Sequence, residues 1–139
     1  MRPPAPFASV LDRLGEPVVL VEALRVGEPL GHTSWSEAVP GEEFGLWDGD
    51  EAEELLGLLA ALPAGERMRC FIPRYGLRLH TAGGDARDIA FCFRCHTALV
   101  LGPGGAREWP AFDGESAPAR ELLCRFRAAG AQATGPRTV

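Results

Sequence analysis

The stretch Met68–Leu101, MRCFIPRYGLRLHTAGGDARDIAFCFRCHTALVL, constrains this chain more than any other. Its alternation predicts two long strands, about 67–81 and 87–101, folded back on each other through the glycine-rich turn at Ala82–Ala86. Successive side chains of a strand point to opposite faces. The odd positions, Phe71, Tyr75, Leu77 and Leu79, then Ile89, Phe91, Phe93, Cys95, Leu99 and Leu101, therefore form a core face. The even face gathers Cys70, Arg74, Arg78, His80, Cys92, Arg94 and His96. Setting Thr81 opposite Arg87 keeps odd against odd. It also places His80 opposite Asp88 and Arg74 opposite Arg94. A like-charged cross-strand pair costs stability unless an anion sits between the two. That anion is either a loop acid, with Glu42 and Glu43 as candidates, or a ligand carboxylate or phosphate held bidentately.

The rest of the chain supplies a second layer. Asp50–Leu62 carries acids in its first turn, Leu55, Leu58, Leu59 and Leu62 on one stripe, and Pro63 as a stop, which predicts a helix over 50–62. Ser116 offers a cap, Pro118 suits a first turn and Gly130 a stop, which predicts a second helix over 116–129. Phe7–Leu14 reads as a short helix, Val18–Val26 as a strand and Arg107–Phe112 as a further short strand. Gly27–Gly49 is rich in glycine and proline and reads as loop, with a short strand at His32–Ser36. Its Trp35, Phe44, Leu46 and Trp47 either cover one side of the core, or the two tryptophans form the lip of a binding groove. The sum is a single α+β domain over 1–139, with 1–6 and 131–139 as flexible tails. Its architecture is a two-layer antiparallel or mixed sheet centred on the hairpin, with both helices on one face and the other face free.

The 139-residue chain carries a formal net charge of −5, which argues against nucleic acid because phosphate binding needs a positive field. No segment approaches the roughly 20 apolar residues that span a bilayer. The N-terminus lacks the uninterrupted apolar run of a signal peptide, so the expected compartment is the cytoplasm, where thiols stay reduced.

Cys92-Phe93-Arg94-Cys95-His96 admits three specific readings. A c-type haem attachment site needs export and an exposed segment, and the motif lies in an aromatic β run. A thioredoxin-like pair needs its first cysteine at a helix start, whereas the residues after Cys95 continue a strand pattern. In an unbroken strand Cys92 and Cys95 would face opposite ways and not meet. A zinc site drawn from Cys70, Cys92, Cys95 and His96 is geometrically conceivable if a bulge turns Cys95, although no second knuckle is present. Against all three stands simple packing of the cysteines. Cys92, beside Arg94 and with His96 four residues on, is the candidate for a reactive thiolate.

Cys70, Pro73, Arg74, Gly76, Leu77 and Arg78, followed by Cys92, Phe93 and Cys95, resemble the shared hairpin of a group of small bacterial proteins of unassigned function. Tyr75 stands where histidine is common in that group. The resemblance implies that the cysteine pair and the Pro-Arg element act as one unit.

Two function classes follow. The first is a non-enzymatic binding or interaction domain, without a cofactor, whose Arg74, Arg78, Arg94 and His80 meet a small anionic ligand or an acidic protein partner. The second is a thiol-reactive or zinc-binding protein using Cys70, Cys92, Cys95 and His96. No motif of a hydrolase or phosphate-cradling loop is present.

Overall fold

The sheet grows outward from Val18–Val26 (β1), whose β-branched, alternating sequence pairs antiparallel on both sides. The computed structural model describes residues 5–134. Gly41–Asp48 (β2) lies along one edge of β1 and Tyr75–Thr81 (β3) along the other. Ala86–Cys92 (β4), Thr97–Leu101 (β5) and Arg107–Glu108 (β6) complete a six-stranded antiparallel sheet in the order β2-β1-β3-β4-β5-β6. Three helices, Ala8–Asp12 (α1), Gly49–Ala61 (α2) and Ala117–Thr134 (α3), join it to give an α+β fold.

The two long helices are started by local chemistry. Asp50 and Glu51 place negative charge at the positive end of α2. Ser116 Oγ accepts from Ala119 N at 3.4 Å while donating to the Asp113 carbonyl at 2.7 Å, a cap that starts α3. Phe7, Val10, Leu55, Leu59, Leu122 and Phe126 close over Val21, Ala23, Leu77, Leu79, Ile89 and Phe91 to form the main core. Helix α3 runs through Gly130, so the expected stop there is wrong: a glycine inside a helix costs only about 1 kcal/mol. The tails expected at 1–6 and 131–139 lie mostly outside the described residues.

The long second arm of the hairpin is not one strand. The chain reverses at Phe93–His96 and returns as β5, so residues 86–101 form two antiparallel strands. Reversal shifts the parity: Ala98 and Val100 take the helix side, while Leu99 and Leu101 go to the opposite face. Across the first turn the register is two residues tighter than expected, with Arg78 opposite Asp88 and His80 opposite Ala86. Gly84 at φ +94° and Thr81 N donating to Asp85 O shorten that loop. A two-residue slip preserves the faces and changes the partners.

The second face is not free either. The 27–40 connection folds over it, and Trp35 and Val39 pack on Leu24, Val26, Ala90, Leu99 and Leu101. His32–Ser34 is a short 3-10 turn rather than a strand, and β2 emerges where a loop was expected. Trp47 and Phe44 cover the helix-side core and Trp35 the opposite one, so these residues do not share one side as expected, and Leu46 is 53% exposed. Asp88, only 2% exposed, ties this layer to the sheet. Its carboxylate accepts from Arg78 Nε and Nη2, each at 2.8 Å, and from Val39 N at 2.7 Å. Asp88→Ala strands the guanidinium and a buried N–H together. It is expected to lower unfolding free energy by about 2–4 kcal/mol, read as a lower urea midpoint at unchanged slope.

Candidate functional site

The Phe93–His96 turn ends β4 at Cys92 and begins β5 at Thr97, and it is fixed from several sides. His96 occupies the left-handed region at φ +53°, where a side chain with a hydrogen-bond partner is best tolerated. Its Nδ1 accepts from Gly114 N at 2.8 Å, and its carbonyl accepts from Phe112 N at 3.0 Å. The Cys95 carbonyl accepts from Met68 N at 3.0 Å and from Thr97 Oγ1 at 2.9 Å. Within this turn Cys92 and Cys95 are joined as a disulfide. The expectation that they could not meet rested on a continuous strand, and the reversal removes that condition. Cys92 is therefore not a free thiolate in this form.

Beside the disulfide opens a cavity of about 870 Å³. Tyr75 and Phe91, cross-strand partners, contribute its aromatic lining together with Phe93, and Tyr75 stacks on Phe126 at 4.9 Å. The 67–74 segment brings Arg67, Met68, Arg69, Cys70, Ile72 and Arg74 to it. Helix α3 adds Leu123 and Arg127, one turn apart and hence on one side of the helix. Arg94 and both disulfide cysteines complete the lining. Met68 and Ile72 are 56% and 40% exposed, apolar groups left open to solvent.

Five arginines thus meet in one cavity of a chain with net charge −5, and no aspartate or glutamate lines it among the described residues. Arg67 is engaged, donating to the Trp109 carbonyl and lying over the Trp109 ring. Arg69, Arg74, Arg94 and Arg127 make no side-chain hydrogen bond or ion pair among the described residues. Clustered cations without internal acids raise a positive potential that a low-dielectric aromatic wall focuses.

The other residues singled out from sequence lie elsewhere. Arg78 belongs to Asp88. Its guanidinium is held more strongly protonated than usual, chiefly by the hydrogen bonds to that carboxylate, which outweigh partial burial. His80 Nε2 meets Glu22 Oε1 on the same face. Glu43, proposed as an acid between Arg74 and Arg94, instead lies beside Glu22. Burial pushes Glu22 upward, but hydrogen bonds from Glu43 and His80 and the charges of His80 and Arg78 leave it below its usual value. Glu43 is raised, first by that same hydrogen bond. The zinc candidates do not converge: the Cys92–Cys95 sulfurs bond each other, His96 Nδ1 faces Gly114 N, and Cys70 is exposed. Among the described residues no three His, Cys, Asp or Glu are grouped to hold a metal ion.

Arg67, Arg69, Arg127 and the aromatic lining were not singled out from sequence. Arg67 and Arg69 were hidden by reading an irregular segment as strand. Leu123 and Arg127 carry an i, i+4 signal at the border of the buried α3 stripe. The class of protein defined so far is an α+β domain with an arginine-lined cavity beside a disulfide turn. Comparison with protein-family models, curated proteins and solved structures finds no match to this chain.

Two outcomes follow from this geometry. A Cβ on Gly114 would lie 2.3 Å from the Phe93 carbonyl oxygen, so Gly114→Ala must displace the turn. A loss of about 1–3 kcal/mol is expected by urea denaturation. Glu43, with its folded value above its unfolded one, contributes stability at low pH and loses it as pH rises through the folded value. Glu22, shifted down, contributes above its unfolded value and loses that as pH falls. Glu43→Gln keeps a donor and removes the charge. It should exceed the parent by a few tenths of a kcal/mol at neutral pH, the size of a solvent-screened pair. The gap should close when thermal unfolding is repeated below about pH 4.

Proposed function

We propose that this protein is a binding domain whose cavity takes an anionic group carried on an apolar or aromatic body. The observation that carries the reading is the meeting of Arg69, Arg74, Arg94 and Arg127, which are unpaired and share their lining with no acid among the described residues. Guanidinium groups match carboxylate and phosphate oxygens bidentately. Tyr75, Phe91, Phe93, Ile72 and Met68 offer stacking and apolar contact beside them. Among the described residues no histidine, serine or carboxylate lines the cavity. Arg78 and His80 take no part, because Asp88 and Glu22 already occupy them. The ligand is a small molecule or an acidic segment of a partner protein; both present the same chemistry to the arginines.

Calorimetric titration with phenyl phosphate, phenol, citrate and a glutamate-rich peptide tests this. The anions are expected to bind and phenol not, with affinity falling as salt rises. Arg74→Gln combined with Arg94→Gln should weaken anion binding about tenfold to a hundredfold, the worth of one or two charge-assisted hydrogen bonds. Arg120→Gln, on the exposed side of α3, should leave it unchanged. Failure of every anion to bind, or binding indifferent to the double substitution, would overturn the reading.

A further inference from the structure

The disulfide is buried, and both of its cysteines line the cation-rich cavity. A disulfide used only to brace a fold has no reason to sit among unpaired arginines. Those arginines have a chemical consequence, since thiol–disulfide exchange is an attack by a thiolate that expels a thiolate. Positive charge concentrates the attacking anion and stabilises the leaving one. Cys92 and Cys95 are only 5% and 4% exposed, and both line the cavity. A third cysteine shares the cavity: Cys70 is exposed, and its carbonyl oxygen lies 3.9 Å from Cys92 Sγ. A disulfide sulfur has no proton to donate, so this contact is proximity and not a hydrogen bond.

We propose that the Cys92–Cys95 bond is an exchangeable disulfide whose preferred reactant is a low-molecular-weight thiol bearing carboxylates. The proposal deepens the anion-binding reading and rests on it, the arginines holding the carboxylates while the thiol reaches the disulfide. In the first step the thiolate of the small thiol attacks one cysteine sulfur. A new S–S bond forms, the Cys92–Cys95 bond breaks, and its electron pair leaves on the other cysteine as a thiolate. In the second step another small thiolate attacks the mixed disulfide at the small molecule's sulfur. The products are the oxidised small disulfide and a protein dithiol: two thiols are oxidised and one disulfide is reduced. Alternatively the Cys70 thiolate attacks the protein sulfur of the mixed disulfide, releasing the small thiolate and leaving a disulfide to Cys70.

Reduced glutathione, carrying two carboxylates, and cationic cysteamine separate charge recognition from intrinsic thiol reactivity. They are compared at equal thiolate concentration on the oxidised Cys70→Ser protein, with mixed disulfide and dithiol followed by intact mass. Glutathione is expected to react at least about tenfold faster than cysteamine, the scale of electrostatic focusing in a cleft. High salt should shrink the ratio, and Arg74→Gln with Arg94→Gln should bring it towards that of the urea-unfolded protein. Far-UV circular dichroism verifies that the variants are folded. Equal rates for the two thiols, a ratio unmoved by the arginine substitutions, or a disulfide that neither thiol opens would overturn the proposal. Binding of S-methylglutathione, which has no thiol, is measured alongside by calorimetry. If it binds while exchange fails, the exchange proposal falls and the anion-binding reading stands. If it does not bind, the anion-binding reading fails for this ligand class and the proposal falls with it.

Discussion

The reversal of the chain at Phe93–His96 is the constraint on which the rest depends. It is closed covalently between Cys92 and Cys95 and held by hydrogen bonds from Met68, Phe112 and Gly114. These partners come from two separate stretches, so the turn also fixes where the 67–74 segment and the start of α3 lie. Both supply walls of the cavity. Without the reversal, β5 would continue β4 and its odd residues would remain on the helix side. With it, Ala98 and Val100 turn to the helices, and Leu99 and Leu101 become a floor for Trp35 and Val39.

The arginines divide into two populations with different physics. Arg78 and Arg125 are saturated by Asp88 and by Glu54 with Glu121, and Arg107 donates to the carbonyls of His32 and Trp35. These groups hold elements together. Those lining the cavity, Arg67 apart, have no such partner among the described residues, and they share its lining with aromatic side chains. Keeping like charges close costs energy in an isolated fold. That cost is what an anionic ligand would relieve, and it is why the cavity, not the charged row of Glu22, Arg78 and Asp88, carries the functional reading.

Much of the fold was legible because its signals are local. The strand Val18–Val26, the helix after Asp48 and the cap at Ser116 are each written in a few adjacent residues. Strand β2 was not legible: Gly41, Glu42, Glu43 and Gly45 blur its alternation, and its order comes from pairing with β1. Gly41 lies so close to the Arg25 carbonyl that a Cβ there would meet it at 2.2 Å, an approach visible only in the fold. The second reversal was missed because Cys92–Leu101 has strand composition throughout, and His96 rather than glycine takes the positive φ.

The sequence by itself determined the class of fold, the positions of two long helices, and the parity of β3 and β4. These follow from periodicity and turn chemistry, which act over a few residues. Only the tertiary structure decided that Asp88 takes Arg78, that Glu22 takes His80, and that Arg67, Arg69 and Arg127 join the cavity. It also decided that Cys92 meets Cys95. A partner distant in sequence is chosen by register and by the path of a turn, and a shift of two residues changes every partner without altering the pattern that a sequence displays.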